Sequence, residues 1–266
     1  MKKNIIGLLL FFLFAFAAHA QELKVMSYNI KSFETFDPAT EFNVQIFADE
    51  IKKINPDIIC IQELETHTSR MEMREVLTEL GSLLGMYPLF GFSYEKDAGA
   101  KGLYGNGILS KYPIINSFTE QLAYRSGTGW SYDQRSYQWA EILVPAAGKE
   151  GGQVVRIINT HLDHRNQSPN YGQRKQHAEY IVSKALDGST PTLLFGDMNE
   201  GPSSSAIAVF NEVFDRVCNN SGTFGGSKLD YIFSYPQTKW TVLDYKIYTT
   251  VNLSDHYPIM GTVKLN

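Results

Sequence analysis

Apolar, strand-like runs recur along this chain, and each of them ends in side chains that bind metal ions or transfer protons. The runs cover residues 25–29, 58–63, 157–161, 192–199 and 229–233, and the last is followed by a Ser-Asp-His-Tyr-Pro segment. Polar groups at the ends of neighbouring strands collect at one edge of a sheet, which is where α/β proteins build their sites. The pattern therefore predicts a buried sheet with one polar site at its edge.

The polar groups at these strand ends are mostly oxygen donors, and they include no serine or cysteine nucleophile motif. The candidates are Asn29, Glu63, His161, Asp197, Asn199, Asp230, Asp255 and His256. Carboxylate and amide oxygens suit Mg²⁺, Mn²⁺ or Ca²⁺, and a metal ion held by them polarises a phosphoryl oxygen. Hydrolysis assisted by a hard metal ion is therefore the first interpretation.

Three of these candidates suggest specific catalytic roles. Asp230 and His256 can form a carboxylate–imidazole pair, in which the aspartate fixes the ring tautomer while the other nitrogen activates water or stabilises the transition state. His161 can contact the phosphate from the opposite side. The structural alternatives are a simple ion pair for His256 and a hydrogen-bonded histidine beside the site for His161.

The other candidates also have structural alternatives. Asp197 and Asn199 can cap the helix expected near Pro202, because both residue types are good N-caps. Glu63 can be a solvated charge at a strand end. Asp255 would point away from the following histidine on a regular strand, but at a strand end it can make a second metal contact.

The first twenty residues have the organisation of a secretory signal peptide. Lys2 and Lys3 precede an apolar stretch at 5–18, and Ala18-His19-Ala20 is an A-x-A cleavage site. We expect cleavage after Ala20, export to the periplasm or the medium, and no stable membrane anchor in the mature chain. The alternative is an uncleaved anchor, for which the apolar stretch is short.

The mature chain, residues 21–266, has a length at which α/β sandwiches are often one domain, so we expect a single catalytic domain. Its formal net charge is −6, because the value of −4 for the whole chain includes Lys2 and Lys3. An acidic protein lacks the general field that attracts nucleic acid or anionic membranes. A nuclease with a local basic groove remains compatible with this charge, but nucleic acid is not the favoured partner.

Strand-like and helical patterns alternate along the chain. Helical spacing predicts helices at 41–54, 71–84 and 171–186. The predicted strands are 22–29, 57–62, 87–93, 105–110, 136–144, 153–160, 191–196, 229–234, 240–248 and 257–264. About ten strands exceed one comfortable open sheet, so we expect an α/β fold of two packed mixed sheets flanked by helices.

Two loops and two cysteines complete this description. The Gly-, Ser- and aromatic-rich stretches 94–105 and 125–135 are predicted to be loops that form walls of the site. Trp130, Tyr132 and Tyr137 are candidates for stacking on substrate, with ordinary loop packing as the alternative. Cys60 and Cys218 are the two cysteines. We expect free, structural thiols, with a disulfide as the alternative.

Arginine and amide side chains supply candidates for substrate binding. Arg135 and Arg174 can hold a phosphate through two parallel hydrogen bonds. Arg174 stands at the start of a predicted helix, where a surface charge is the more frequent outcome. Asn106 can serve the site, although a turn beside a strand explains it equally well.

Seven short motifs, in this order, resemble those of the endonuclease/exonuclease/phosphatase superfamily. That superfamily includes pancreatic-type deoxyribonucleases, apurinic endonucleases, sphingomyelinases and inositol-polyphosphate 5-phosphatases. The motifs are Ser27-Tyr28-Asn29, Gln62-Glu63, Gly105-Asn106-Gly107-Ile108-Leu109-Ser110, Asn159-Thr160-His161-Leu162, Gly196-Asp197-Met198-Asn199, Leu229-Asp230-Tyr231 and Ser254-Asp255-His256-Tyr257-Pro258. The resemblance covers residues 22–264 and implies a four-layered α/β sandwich that cleaves phosphoesters with a metal ion.

The resemblance also implies roles for individual residues. Glu63 resembles the main metal ligand, with Asn29 as a neighbour that ligates through water and Asp255 as an auxiliary contact. Asp197 resembles the residue that orients or deprotonates the attacking water, and Asn199 the amide that positions phosphate and nucleophile. The remaining implied roles are those of His256 as the essential histidine, Asp230 as the residue that orients it, and His161 and His164 as phosphate contacts.

The segment after Asn29 and the short segment before Asp230 depart from some relatives. Residues 30–34 put local ligation there in doubt, and residues 223–228 contain no long basic insertion of the kind that enters a DNA groove. The 24 lysines and arginines form no cluster. These departures bear on the substrate rather than on the chemistry.

These observations predict a monomeric, exported phosphoesterase that depends on Mg²⁺ or Mn²⁺. Its acidic charge and compact loops favour a small or lipid-derived phosphodiester or phosphomonoester. The alternative is a secreted endonuclease, in line with the majority activity of the superfamily. Two further options are a catalytically silent binding module, against which the intact candidate set argues, and Ca²⁺ in a purely structural role.

Overall fold

The structure, a computed structural model, describes residues 22–97, 101–123, 134–146, 149–165 and 173–266. The signal-peptide prediction, Trp130 and Tyr132 lie outside these residues. Within them, no helix is long and apolar enough to cross a membrane.

In the described part of the chain, twelve strands form two six-stranded sheets, and four α-helices accompany them. The strands are β1 (Glu22–Asn29), β2 (Ile58–Thr66), β3 (Tyr87–Asp97), β4 (Gly102–Ser110), β5 (Ile114–Gln121), β6 (Ser136–Ala146), β7 (Lys149–His161), β8 (Thr192–Asp197), β9 (Asp215–Arg216), β10 (Asp230–Tyr235), β11 (Trp240–Ile247) and β12 (Ile259–Leu265). The helices are α1 (Val44–Ile54), α2 (Val76–Leu84), α3 (Gln173–Ala185) and α4 (Ser205–Asn211).

Both sheets are mixed, and each has one parallel pair of strands at its centre. The first sheet has the order β11-β12-β1-β2-β4-β3, and the second has the order β5-β6-β7-β8-β10-β9. The parallel pairs are β1 with β2 and β7 with β8. Because β1 and β2 run parallel, Asn29 at the end of β1 is paired with Gln62 on β2, next to Glu63, and His161 at the end of β7 is in register with Asp197 at the end of β8.

Three apolar clusters divide the molecule into four layers, as the sequence predicts. The cluster between the sheets contains side chains such as Val25 and Ile58 from the first sheet and Ile157 and Phe195 from the second. A second cluster buries α1 and α2 against the outer face of the first sheet, and a third buries α3 and α4 against the second sheet. Removal of this apolar surface from water is the main driving force for the packing.

The ends of α1 and α4 follow from local capping. Asn43 accepts a hydrogen bond from the backbone N–H of Gln45 at the start of α1, and Asn55 ends the helix in the left-handed conformation with φ of 56°. At α4, Ser204 accepts a hydrogen bond from the backbone N–H of Ile207. Short polar side chains at N-caps satisfy backbone donors that have no partner within the helix.

Buried amide side chains join the two sheets directly below the polar edge. Nε2 of Gln62 donates to Oδ1 of Asn159 at 2.8 Å. Nδ2 of Asn159 donates to the backbone oxygens of Ile61 and Gly107, both at 2.9 Å. Unlike the surrounding aliphatic contacts, these hydrogen bonds are directional, so they fix the lateral position of one sheet against the other.

Several sequence expectations about local structure are wrong. The predicted loop at 94–105 is largely the extended ends of β3 and β4, with only residues 98–100 outside the described part. The alternative of a turn for Asn106 is also wrong, because this residue lies inside β4. Strand β5 was not predicted because its faces are both half exposed and carry no clear alternation. Cys60 and Cys218 are free and buried, as expected.

Candidate active site

The first sheet contributes Asn29 at the end of β1 and Glu63 from inside β2, so the expectation that Glu63 ends its strand is wrong. The pairing of β2 with β4 shifts register between Ile61 and Leu64, which is a bulge that contains Glu63. Glu63 has a φ of 59°, in the left-handed region that residues with a side chain rarely adopt. A bulge re-aims the side chain that it contains, and here it turns Glu63 toward the end of β1.

The second sheet contributes Asp197 and Asn199 at the end of β8. The backbone N–H of Asn199 donates to Oδ1 of Asp197 at 2.9 Å, and Asn199 has a left-handed φ of 50°. Its side-chain nitrogen donates to the backbone oxygen of Leu162 at 2.9 Å and lies 3.0 Å from Nε2 of His161. The capping alternative for these two residues is wrong, because Ser204 caps α4.

The side-chain amide of Asn29 connects the two halves of the site. Its Nδ2 donates to Oε1 of Glu63 at 3.1 Å and to Oδ2 of Asp197 at 3.0 Å. Its Oδ1 accepts the backbone N–H of Lys31 at 3.1 Å, which fixes the orientation of the amide. Carboxylates from different sheets therefore face one another across a single nitrogen.

Asp230 and His256 form the carboxylate–imidazole pair that the sequence suggests. Nδ1 of His256 lies 2.8 Å from Oδ2 of Asp230, and Nε2 lies 3.5 Å from Oδ2 of Asp197. Asp230 begins β10 directly opposite Asp197 on β8. The hydroxyl of Thr223 accepts the backbone N–H of Asp230 at 3.1 Å, which anchors the start of that strand.

Burial and neighbouring charges shift the pKa values of this group in a coherent way. Burial, followed by the charge of the nearby Asp230 carboxylate, raises the pKa of Asp197 to about 7. Burial alone would lower the pKa of His256, but the charge and hydrogen bond of Asp230 outweigh it and raise the pKa to about 10. At neutral pH the ring is therefore protonated, while Asp197 is close to half ionised.

His161 has the opposite protonation state. Burial, followed by the positive charge of Arg135, holds its pKa well below the ordinary value of 6.5. Nη1 of Arg135 donates to Nδ1 of His161 at 2.9 Å, since a guanidinium has no acceptor. The neutral ring therefore carries its proton on Nε2, which lies 3.5 Å from Asp197 and 3.9 Å from Glu63, so Nδ2 of Asn199 does not donate to this nitrogen. Nη2 of the same arginine lies 3.1 Å from Nδ1 of His164.

The remaining sequence candidates occupy different positions around this centre. Asp255 lies 3.5 Å from the ammonium of Lys31 at the rim. Arg174 is buried, and its Nε lies 2.6 Å from Glu200 while Nη1 donates to the backbone oxygen of Asp163. Arg174 is therefore not the expected surface charge, but braces the loops that follow β7 and β8.

Asn106 and Tyr137 are also buried. Nδ2 of Asn106 lies 3.4 Å from the backbone oxygen of Ser136. Tyr137 is only 2% exposed and packs against Phe118 and Tyr180, so the expectation that it stacks on substrate is wrong. Its position on β6 turns the ring into the third apolar cluster.

The donor set fits a divalent metal ion. One carboxylate oxygen of Asp197 and one of Asp230 lie within 4.8 Å of each other, with the protonated His256 ring beside them, and Glu63 shares the Asn29 amide with Asp197. A dense group of carboxylate oxygens that is largely shielded from water is stabilised by a hard cation. Glu63, whose side chain is 29% exposed, is the part of this set that remains open toward solvent.

A cleft of about 330 Å³ extends outward from Glu63. Sequence reasoning selected Arg135 and His164 in its wall but did not identify the charged side chains farther along it. These are Lys31, Glu34, Arg70 and Lys96. They come from separate elements, and no spacing in the sequence indicates that they meet.

Comparisons with known proteins agree with this architecture. A model of the Endonuclease/Exonuclease/phosphatase family matches residues 26–256. An endonuclease/exonuclease/phosphatase from Beutenbergia cavernae has a similar structure, with a TM-score of 0.73 and 19% identity over 92% of this chain and 72% of that chain. One from Bacteroides vulgatus has a TM-score of 0.70 and 22% identity over 92% of this chain and 100% of its own.

A third similar structure is a mannosyl-6-phosphatase from Bacteroides thetaiotaomicron, with a TM-score of 0.68 and 19% identity over 91% of this chain and 99% of that chain. These likenesses are low in sequence identity and show the fold. No curated protein matches the sequence. The family match covers most of the chain and includes the residues of the site, and members of that family hydrolyse phosphoric esters. The chain belongs to the endonuclease/exonuclease/phosphatase family.

Proposed function

We propose that this protein is an exported, Mg²⁺- or Mn²⁺-dependent phosphoesterase that acts on a small or lipid-derived phosphoester. The single observation that carries the proposal is the Asn29 amide, which joins Glu63 of one sheet to Asp197 of the other at 3.1 and 3.0 Å. This contact places a candidate metal ligand beside a candidate base. The Asp230–His256 pair completes the group.

Asp197 is the residue that takes a proton from the attacking water. A carboxylate with a pKa of about 7 is matched to proton transfer at neutral pH. The backbone N–H of Asn199 and the amide of Asn29 hold its two oxygens in place. The attack then occurs on the phosphorus from the side on which Asp197 lies.

Protonated His256 and neutral His161 present N–H groups on either side of Asp197. Both Nε2 atoms lie 3.5 Å from Oδ2 of Asp197, so a phosphoryl group beside that carboxylate contacts both rings. Donors that are fixed before reaction stabilise the charge that develops on phosphoryl oxygens. His256 supports the transition state as a cation, and Asp230 maintains its charge.

Glu63, with Asn29 beside it, would hold the metal ion, and Asp255 would be an auxiliary contact. The ion would supply a positive charge that polarises the phosphoryl oxygen and offsets the negative charge on the leaving oxygen.

The proposal of a small substrate rests on charge and on the shape of the cleft. The acidic chain gives no general attraction for a polyanionic strand. The cleft beside Glu63 is of a size for a small molecule. A structurally similar protein is named as a mannosyl-6-phosphatase, which acts on a small phosphate ester. Nucleic acid is the competing substrate class.

The proposal of export rests on residues 1–20, with residues 21–266 as one catalytic domain. N-terminal sequencing of protein from the periplasm or medium should begin at Gln21. Recovery of the intact N-terminus in the cytoplasm would contradict this part of the proposal.

The test of activity uses the mature protein with Mg²⁺, Mn²⁺ or a chelator. Suitable substrates are plasmid DNA, RNA, bis-p-nitrophenyl phosphate, sphingomyelin and inositol phosphates. We expect metal-dependent release from a small or lipid phosphoester while DNA and RNA remain intact. Metal-dependent nicking of DNA would instead make the protein a nuclease, and hydrolysis that persists in chelator would contradict the metal dependence.

A further inference from the structure

The cleft beside Glu63 has a charged inner wall that the proposed mechanism does not use. This wall is formed by Glu34, Arg70 and Lys96, and we call it the polar wall. Because it opens onto the same cleft as Glu63, a phosphoester held at the site extends its alcohol part toward these side chains. The inference drawn from this wall therefore rests on the proposed function.

Glu65 anchors the polar wall from below. Its side chain is 0% exposed, and its carboxylate accepts hydrogen bonds from the hydroxyls of Ser32 and Thr68 at 3.2 and 3.1 Å. Nε of Arg70 donates to it at 2.6 Å, and Nη2 of Arg70 and the ammonium of Lys96 contact it as well. A buried carboxylate with this many donors holds both cations in fixed positions.

The exposed side of the polar wall presents charges of both signs. The side chains of Arg70 and Lys96 are 34% and 35% exposed, and Glu34, which is 31% exposed, accepts from Nη1 of Arg70. With Glu65 included, two cations are balanced by two anions, and Lys31 in the same cleft is paired with Asp255. The wall is thus polar and ordered, and its charges are balanced.

This arrangement suits an alcohol part with several hydroxyl groups better than one with an acyl chain or a nucleobase. Each hydroxyl both donates and accepts a hydrogen bond, and the wall offers guanidinium and ammonium donors next to a carboxylate acceptor. An acyl chain needs an apolar lining, whereas the described residues that line the cleft include no aliphatic side chain.

The more deeply buried tyrosine of the cleft, Tyr104, offers no open face to a nucleobase. The ring of Tyr104 is covered by Tyr94, with centroids 4.9 Å apart, and by the ammonium of Lys96 at 4.9 Å from its centroid. Tyr104 is only 7% exposed. Stacking of a base requires an open ring face, so Tyr104 supports Lys96 rather than binding an aromatic group.

We propose that the polar wall binds the alcohol part of the substrate, that this part is a polyol such as a sugar, and that Arg70 and Lys96 determine this specificity. The phosphate lies among Asp197, His161 and His256, and the polyol lies along Glu34, Arg70 and Lys96. The protein is then a hydrolase of polyol phosphates.

The experiment compares substrates that share the phosphate and differ in the alcohol. The mature protein is assayed with Mg²⁺ on a hexose 6-phosphate, glycerol 3-phosphate, phenyl phosphate and a nucleoside 5′-monophosphate. The variants are Arg70→Ala and Lys96→Met, and the control is Arg74→Ala. Arg74 matches Arg70 in exposure, at 33% against 34%, and in having a glutamate partner, but it lies outside the cleft.

We expect Arg70→Ala and Lys96→Met each to lower kcat/KM for the hexose phosphate by about 10- to 100-fold, the size of a lost charged hydrogen bond. The loss on phenyl phosphate should be less than about threefold, because that substrate has no hydroxyl to bind. Arg74→Ala should leave kcat/KM unchanged for every substrate. Thermal unfolding checks that each variant is folded, and Lys96→Met provides the test if Arg70→Ala is not.

Two results would overturn the inference while leaving the proposed function intact. One is an equal loss on phenyl phosphate and hexose phosphate, and the other is a wild-type preference for the nucleoside monophosphate. Absence of metal-dependent hydrolysis of all four substrates, together with inactivity on phosphodiesters and lipids, would overturn both. The activity of the wild-type protein therefore shows whether the proposed function has failed or only this inference.

Discussion

Nδ1 of His256 lies 2.8 Å from Oδ2 of Asp230, and both side chains are almost completely buried. The aspartate stands at the first position of β10, so the backbone of the second sheet holds it in place. A charge fixed by the backbone has a constant effect on the imidazole. The fold therefore keeps His256 protonated at neutral pH.

Replacement of Asp230 by Asn should lower the pKa of His256 from its value of about 10, because the charge and the hydrogen bond of Asp230 are the largest influences that raise it. Burial lowers this pKa, and in the variant only the charges of Asp197 and Asp255 oppose that effect. NMR titration of the histidine rings in metal-free protein measures the change directly, with His67 as an internal control because it is remote from Asp230. The same His256 pKa in the variant and the wild type would contradict the assignment.

Replacement of His256 by Ala should lower kcat by at least about 100-fold, as loss of a proton-transfer or charge-stabilising group does. The fold should survive, because the ring lies at the edge of the sheet rather than in an apolar cluster. The measurement is steady-state hydrolysis together with thermal unfolding. His67→Ala, which removes a histidine that is 40% exposed, should keep full activity. Turnover at the wild-type rate in His256→Ala would exclude the proposed role.

Replacement of Glu63 by Gln should weaken metal binding, since the amide removes a charged oxygen ligand. Mg²⁺ or Mn²⁺ stabilises the folded state according to its affinity, so the shift in Tm with metal concentration reports binding without reference to activity. We expect a smaller shift in the variant. Glu41→Gln, at an exposed position, should titrate like the wild type. Identical titrations for Glu63→Gln and the wild type would show that Glu63 is not a ligand.

Asp187 should stabilise the fold in a pH-dependent way. Hydrogen bonds from the hydroxyl and N–H of Thr190 and from the N–H of Ser189, together with the charge of Arg156, hold its pKa below the ordinary 3.8. A lowered pKa means that the contribution is complete above about pH 4 and disappears as the pH falls through the folded-state value. The side chain is 41% exposed, so Asp187→Asn should cost about 1 kcal/mol or less at pH 7. Urea unfolding of both proteins should show this difference shrinking in acid, and a constant difference would contradict the explanation.

The site residues at strand ends were predictable because each of them stands next to an apolar run in the sequence. Asn29, Asp197 and Asp230 each end or begin a strongly apolar run, so the pattern alone assigns them to one edge. The position of Glu63 is different, because its side chain reaches the site through a bulge and a left-handed backbone. Neither feature has a sequence signal as clear as alternation.

The polar wall was not predictable for a related reason. Glu65 and Lys96 are separated by a helix and a strand, and their contact depends on how β2, β3 and the turn at Ser69–Met71 pack. In the sequence, side chains of mixed charge such as these are equally compatible with an exposed surface. Only the three-dimensional arrangement shows that Glu65 is buried beneath two cations.

Replacement of Asn159 by Ala should destabilise the protein by about 2–4 kcal/mol, because Gln62 and two backbone oxygens lose their buried partner. Denaturant unfolding measures the free energy, with Asn116→Ala on the exposed strand β5 as the control. A variant that is as stable as the control would show that the amide contact is dispensable.

The contact between Gln62 and Asn159 also has a different consequence for the exchange of outer loops than for the exchange of whole sheets. Aliphatic layers tolerate sliding, but a directional amide contact does not, so Glu63 and Asp197 keep the same mutual position when outer loops are exchanged. Grafting loops between proteins of this fold should consequently change the substrate specificity and preserve the mechanism of hydrolysis. Chimeras that join the first sheet of one protein to the second sheet of another should work only when both amides are inherited together.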